Sequence, residues 1–120
     1  MRWFLRAAGV ILPLLAFSTT TARAHAVLTG SSLGSGALRA DHATTITLTF
    51  NAGIESGLSK VVLRGTGLDR PLPTRDGGSP NQVAVDVPAL QPGPYVLHYK
   101  VLAMDGHVTE SVLRFQVDDR

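Results

Sequence analysis

Thr45-Ile46-Thr47-Leu48-Thr49-Phe50 alternates strictly between polar and apolar residues. In a strand successive side chains point to opposite faces, so Ile46, Leu48 and Phe50 share a core-facing side and the threonines face solvent. The same period of two recurs further along. Gln82 to Val87 places Val83, Val85 and Val87 together, and Tyr95 to Leu102 places Tyr95, Leu97, Tyr99 and Val101 together. Val108 to Val117 ends with Leu113, Phe115 and Val117 on one side, and Val61-Val62-Leu63 forms a shorter run. His25 to Thr29 and Pro71 to Thr74 are weaker strand candidates.

Turn-forming clusters separate these runs at Gly30 to Gly36, Asn51-Ala52-Gly53, Arg75 to Asn81 and Gln91-Pro92-Gly93. No stretch after residue 24 repeats its apolar residues with a helical period. About seven short strands, regularly broken by turns, predict an all-β, two-sheet sandwich, with a closed barrel as the rival architecture. The chain of 120 residues has room for one such domain. It contains no cysteine, which excludes a disulfide scaffold, a thiolate metal site and a cysteine nucleophile. It carries no phosphate-binding loop and no recognisable catalytic triad or carboxylate pair.

The first 24 residues read as an export signal. Arg2 and Arg6 form a basic start, Ala7 to Phe17 is an apolar run of 11 residues, and Ala22-Arg23-Ala24 is a small-x-small cleavage site. The run is shorter than the roughly 20 residues that span a bilayer. An uncleaved anchor is the competing reading. Cleavage after Ala24 would leave a domain of residues 25–120 with eight basic against nine acidic residues, a charge of −1 with histidine neutral. The basic footprint that nucleic-acid binding requires is then missing.

Two features carry possible chemistry. Cleavage would make His25 the first residue, so that its free α-amine and imidazole Nδ1 close one chelate ring on a metal. Nitrogen donors of this kind suit late divalent ions, with Cu²⁺ at the head of the affinity order. The plain alternative is that His25 simply follows the cleavage site. The second feature is Met104-Asp105-Gly106-His107, between the two longest predicted strands. In an extended segment Asp105 and His107 would point the same way and present a carboxylate beside an imidazole. The competing reading is an Asp-Gly hairpin turn. Together, amine, two imidazoles and carboxylate make a three-nitrogen, one-oxygen set suited to tetragonal Cu²⁺. Sequence alone does not bring residues 25 and 107 together.

At this point the chain resembles the CopC-type (CopC, PcoC and YobA-like) periplasmic copper-resistance family. The matching stretches are His25-Ala26-Val27-Leu28, Ile46 to Phe50, Leu90 to Leu97, Tyr99 to His107 and Phe115-Gln116-Val117. The resemblance implies a seven-stranded Greek-key β-sandwich, cupredoxin- or immunoglobulin-like, with one Cu(II) site per chain at one end. By position its ligands would be His25, through amine and imidazole, with Asp105 and His107. It also implies a periplasmic carrier without enzymatic activity, soluble after processing, and working in some relatives with a CopD-type inner-membrane protein.

Two departures bear on that site. Ala103 stands where the family usually has serine, and Val108-Thr109-Glu110 follows His107 where proline is usual, so Glu110 could add charge near the metal. With Met104 as the one methionine beyond the signal, a thioether site for Cu⁺ is not expected. His42, in a polar turn, and His98, opposite the apolar face of its strand, read as surface residues, and Tyr95 and Tyr99 as core. Two other functions fit the same sequence: a metal-free extracytoplasmic interaction module, and a copper oxygenase using an N-terminal histidine chelate. The short chain and the absence of an aromatic row argue against the oxygenase.

Overall fold

The computed structural model describes Gly9, residues 26–34 and residues 37–119. The signal reading of residues 1–24 and the position of His25 lie outside the described residues. Among the described residues nine strands form: β1 (Leu28–Ser31), β2 (Leu38–Arg39), β3 (Thr44–Phe50), β4 (Lys60–Gly65), β5 (Leu68–Leu72), β6 (Thr74–Asp76), β7 (Gln82–Val87), β8 (Gly93–Leu102) and β9 (Val108–Asp118). They make one sheet of order β1-β3-β7-β6 and a second of order β2-β9-β8-β4-β5. The expected all-β sandwich is what forms. Among the described strands the chain changes sheet five times, between β1 and β2, β2 and β3, β3 and β4, β5 and β6, and β7 and β8, and these are crossing connections of the kind a Greek-key sandwich has.

Alternation builds the core as expected. Ile46, Leu48 and Phe50 from β3 and Val83, Val85 and Val87 from β7 line one inner face. Tyr95, Leu97, Tyr99 and Val101 from β8 and Phe115 and Val117 from β9 line the other. Nine strands replace the expected seven because the two-residue β2 is added and one candidate divides. The segment around Pro71–Thr74 splits at Pro73: Leu72 ends β5 against Val61, and Thr74 begins β6 against Val85 in the other sheet. Pro73 lacks an N–H and does not continue a ladder, which suits it to the crossing. Pro71 is tolerated because β5 is an edge strand.

Tyr95 fastens the end of the sandwich opposite the β8–β9 turn. Its ring stacks on Phe115, with centroids 5.7 Å apart and planes at 17°. Its buried hydroxyl donates to the Gln91 carbonyl at 2.8 Å and accepts from Thr66 Oγ1 at 2.7 Å. Tyr95→Phe keeps the stacked ring but orphans two polar groups, so it is expected to cost about 1–3 kcal/mol in chemical denaturation with the fold retained. An unchanged denaturation midpoint would show that this hydroxyl contributes nothing to stability.

Candidate metal centre

Asp105 and His107 lie in the connection between β8 and β9. This segment is a turn: the Ala103 N–H donates to the His107 carbonyl at 2.8 Å, and the Gly106 N–H donates to the Ala103 carbonyl at 2.9 Å. Gly106 has a φ of +90°, a conformation that side chains with a Cβ rarely adopt. Of the two readings the sequence offers for this segment, extended strand or Asp-Gly turn, the turn is the one that forms. The two side chains nevertheless meet, through local turn chemistry rather than strand alternation. Asp105 Oδ1 accepts from the His107 backbone N–H at 3.0 Å, and Oδ2 lies 3.0 Å from the His107 imidazole Nδ1. Aspartate favours turns for this reason, since its carboxylate reaches the backbone two residues on.

The His107 N–H, and after it the imidazole, hold the Asp105 carboxyl below the usual carboxylate range. Asp105 is therefore ionised across the neutral range, and both side chains are about half exposed (42% for Asp105, 54% for His107). Among the described residues no group of three His, Cys, Asp or Glu side chains comes together.

The turn is tied to the start of the domain by one loop. Where β3 ends, Asn51 grips Val27 twice: its side-chain Oδ1 accepts from the Val27 N–H at 2.8 Å, and its own N–H donates to the Val27 carbonyl at 3.0 Å. Two residues on, the Gly53 carbonyl accepts from the Met104 N–H at 2.9 Å, and Ile54 bridges Ala103. Two residues of chain span at most about 7 Å. The first described residues of the domain and the Asp105–His107 turn therefore share one end of the sandwich. Ala26, one residue after His25, is fully buried there. Sequence reasoning saw Asn51-Ala52-Gly53 as a turn and missed this clamp, because the partner of Asn51 lies 24 positions away.

The remaining candidates fall elsewhere. His98 Nε2 lies 3.0 Å from Glu110 Oε1, so Glu110 turns along the outer face of its sheet to His98 and engages it there. His42 is exposed, with Nδ1 2.8 Å from the Ala40 carbonyl. Ala103 is buried in the core and offers no hydroxyl at the turn. Met104 is 58% exposed and lays its thioether over Gly53, where an added Cβ would sit 2.7 Å from the sulfur.

The sequence matches the CopC domain over residues 28–118, which takes in every strand. The chain belongs to the CopC family. Among solved structures, CopC from Methylosinus trichosporium OB3b is 26% identical, with 78% of this chain and 94% of that chain covered at a TM-score of 0.64. PcoC, a methionine-rich copper resistance protein from Escherichia coli, shares the fold at 22% identity, covering 79% of this chain and all of its own, with a TM-score of 0.55. No curated protein matches the chain. As a CopC-family member this chain is methionine-poor, with Met1 and Met104 its only two. No helix among the described residues is long and apolar enough to cross a membrane.

Proposed function

We infer that this protein is an exported, periplasmic copper-resistance protein that binds one Cu²⁺ through His25, Asp105 and His107 and carries or sequesters it without catalysis. Processing after Ala24 would free the His25 amine, and a CopD-type membrane protein is a natural recipient of the ion. The observation that carries this reading is the Asn51–Gly53 loop, which holds Val27 on one side and the Asp105–His107 turn on the other. His25 lies two residues before Val27, so its donors need to travel only a short distance to the turn.

The two candidate donors of the turn, His107 Nδ1 and Asp105 Oδ2, lie 3.0 Å apart, close enough for one ion to reach both. Cu²⁺ would take the place of the contact between His107 Nδ1 and Asp105 Oδ2. Both imidazoles and the amine must be unprotonated to bind, whereas Asp105 is already ionised. The sign follows: affinity falls as pH drops, because protons compete for nitrogen.

The test is a Cu²⁺ titration of protein beginning at His25, followed by electron paramagnetic resonance and repeated at falling pH. One equivalent bound, nitrogen hyperfine splitting and progressive release on acidification are expected. Absence of stoichiometric binding at neutral pH would overturn the reading and leave a metal-free interaction module.

A further inference from the structure

One edge of β9 is open. Along its other edge β9 pairs with β8 continuously from Val108 to Val117. On the open side only Val117 and Asp118 meet a neighbour, the two-residue β2. Among the described residues Val108 to Gln116 therefore presents nine consecutive backbone positions with no strand beside them. Natural proteins blunt such edges with proline, bulges, brevity or charged side chains, and of these devices this stretch carries only the charges of Glu110 and Arg114. This stretch, Val-Thr-Glu-Ser-Val-Leu-Arg-Phe-Gln, has no proline or glycine and runs in unbroken register. Val112 stands at its centre, 43% exposed.

We propose that β9 pairs antiparallel with β9 of a second copy of this chain, joining two five-stranded sheets across a two-fold axis at Val112. The charge pattern selects this partner and this register. With Val112 opposite Val112, Glu110 of each copy faces Arg114 of the other, giving two opposite-charge pairs around an apolar centre. Cross-strand pairs of this kind are favourable, and like charges directly opposite are not. A shift of two residues places each of these charges opposite an uncharged side chain, and a shift of four sets Glu110 against Glu110 or Arg114 against Arg114. A shift of one residue turns the solvent face of one sheet toward the core side of the other.

Arg114 makes no ion pair within its own chain among the described residues and is exposed. Glu110 uses Oε1 on His98 and keeps Oε2 available. Each His107 lies five residues from the axis, so the two turns would stand about 34 Å apart at opposite ends and stay open. The contact is isologous, so it closes as a dimer and does not propagate.

The absence of cysteine gives a direct test. Residues opposite one another in an antiparallel pair have Cα atoms about 4.5–5.5 Å apart, within disulfide range. Val112→Cys is expected to form a covalent dimer on mild oxidation, whereas Val108→Cys, four residues off the axis, is not. Sedimentation velocity from micromolar to millimolar protein should show a concentration-dependent dimer. Arg114→Glu should weaken it at least tenfold, and the charge-swapped double variant Glu110→Arg with Arg114→Glu should restore it. A monomer at every concentration would overturn the proposal. So would equal cross-linking at positions 108 and 112, or a dimer indifferent to Arg114→Glu.

Discussion

Cu²⁺ binding is expected to fall more than about 100-fold when His107 is replaced by alanine, and by a similar factor when the His25 amine is acetylated. Changing a group that merely orients a metal ligand commonly costs 10–100-fold, so removing a donor sets a higher floor. The two changes act at positions 82 residues apart in sequence, and weakened binding of the same single ion in both is what a shared site requires. Acetylation leaves the His25 imidazole in place and converts only the amine to an amide, so it isolates the chelate ring. His42→Ala and His98→Ala serve as controls, since His42 is exposed in another turn and His98 is engaged with Glu110. Competition titration against a chelator of known affinity gives the numbers. If His107→Ala binds as tightly as the parent while His98→Ala does not, the centre has been placed at the wrong histidine.

Phe50→Ala is expected to be the most damaging single truncation in the core. The ring is 1% exposed and meets Tyr99 edge to face, with centroids 5.7 Å apart and planes at 73°. Removing a buried phenyl group costs about 3–5 kcal/mol, a large part of the 5–15 kcal/mol that holds a typical domain together. For a domain of about 100 residues that lowers the melting temperature by more than about 12 °C. The backbone of Phe50 adds a second reason. Its N–H donates to the Asn81 carbonyl at 2.9 Å, and its carbonyl accepts from Asn81 Nδ2 at 3.0 Å. A cavity here therefore loosens the strand end from which Asn51 reaches Val27. Urea denaturation of Phe50→Ala beside Phe50→Leu separates volume from chemistry, and a loss below about 1 kcal/mol for the alanine variant would contradict this packing.

The longest strands were legible because each buries one face. The alternation in Ile46-Thr47-Leu48-Thr49-Phe50 and in Tyr95 to Val101 is the imprint of a half-buried sheet, and the buried positions match it. β2 was not legible, since two residues held by the end of β9 leave no pattern. β5 and β6 were obscured by Pro71 and Pro73, which only a knowledge of sheet edges and crossings makes acceptable. Ala84 is buried although it faces away from Val83 and Val85, because β7 lies between β3 and β6 in its sheet. At the candidate site, the spacing of Asp105 and His107 was informative for a reason other than the one it suggested. A carboxylate reaches the N–H two residues on in a turn as readily as it shares a face in a strand. The Asn51 clamp depends on a contact between distant segments and had no local signature.

The β8–β9 hairpin has a kinetic consequence. Its ten cross-strand pairs close over the five residues from Ala103 to His107, whereas β3 meets β7 only after roughly thirty intervening residues fold back. The entropy lost in closing a loop rises with its length, so sequence-local pairing forms first and long-range pairing follows. The hairpin is the largest piece of this sandwich that can assemble early, and Gly106 shapes its closure. The segment that presents Asp105 and His107 to solvent is thereby also the loop whose closure this sequence-local pairing requires.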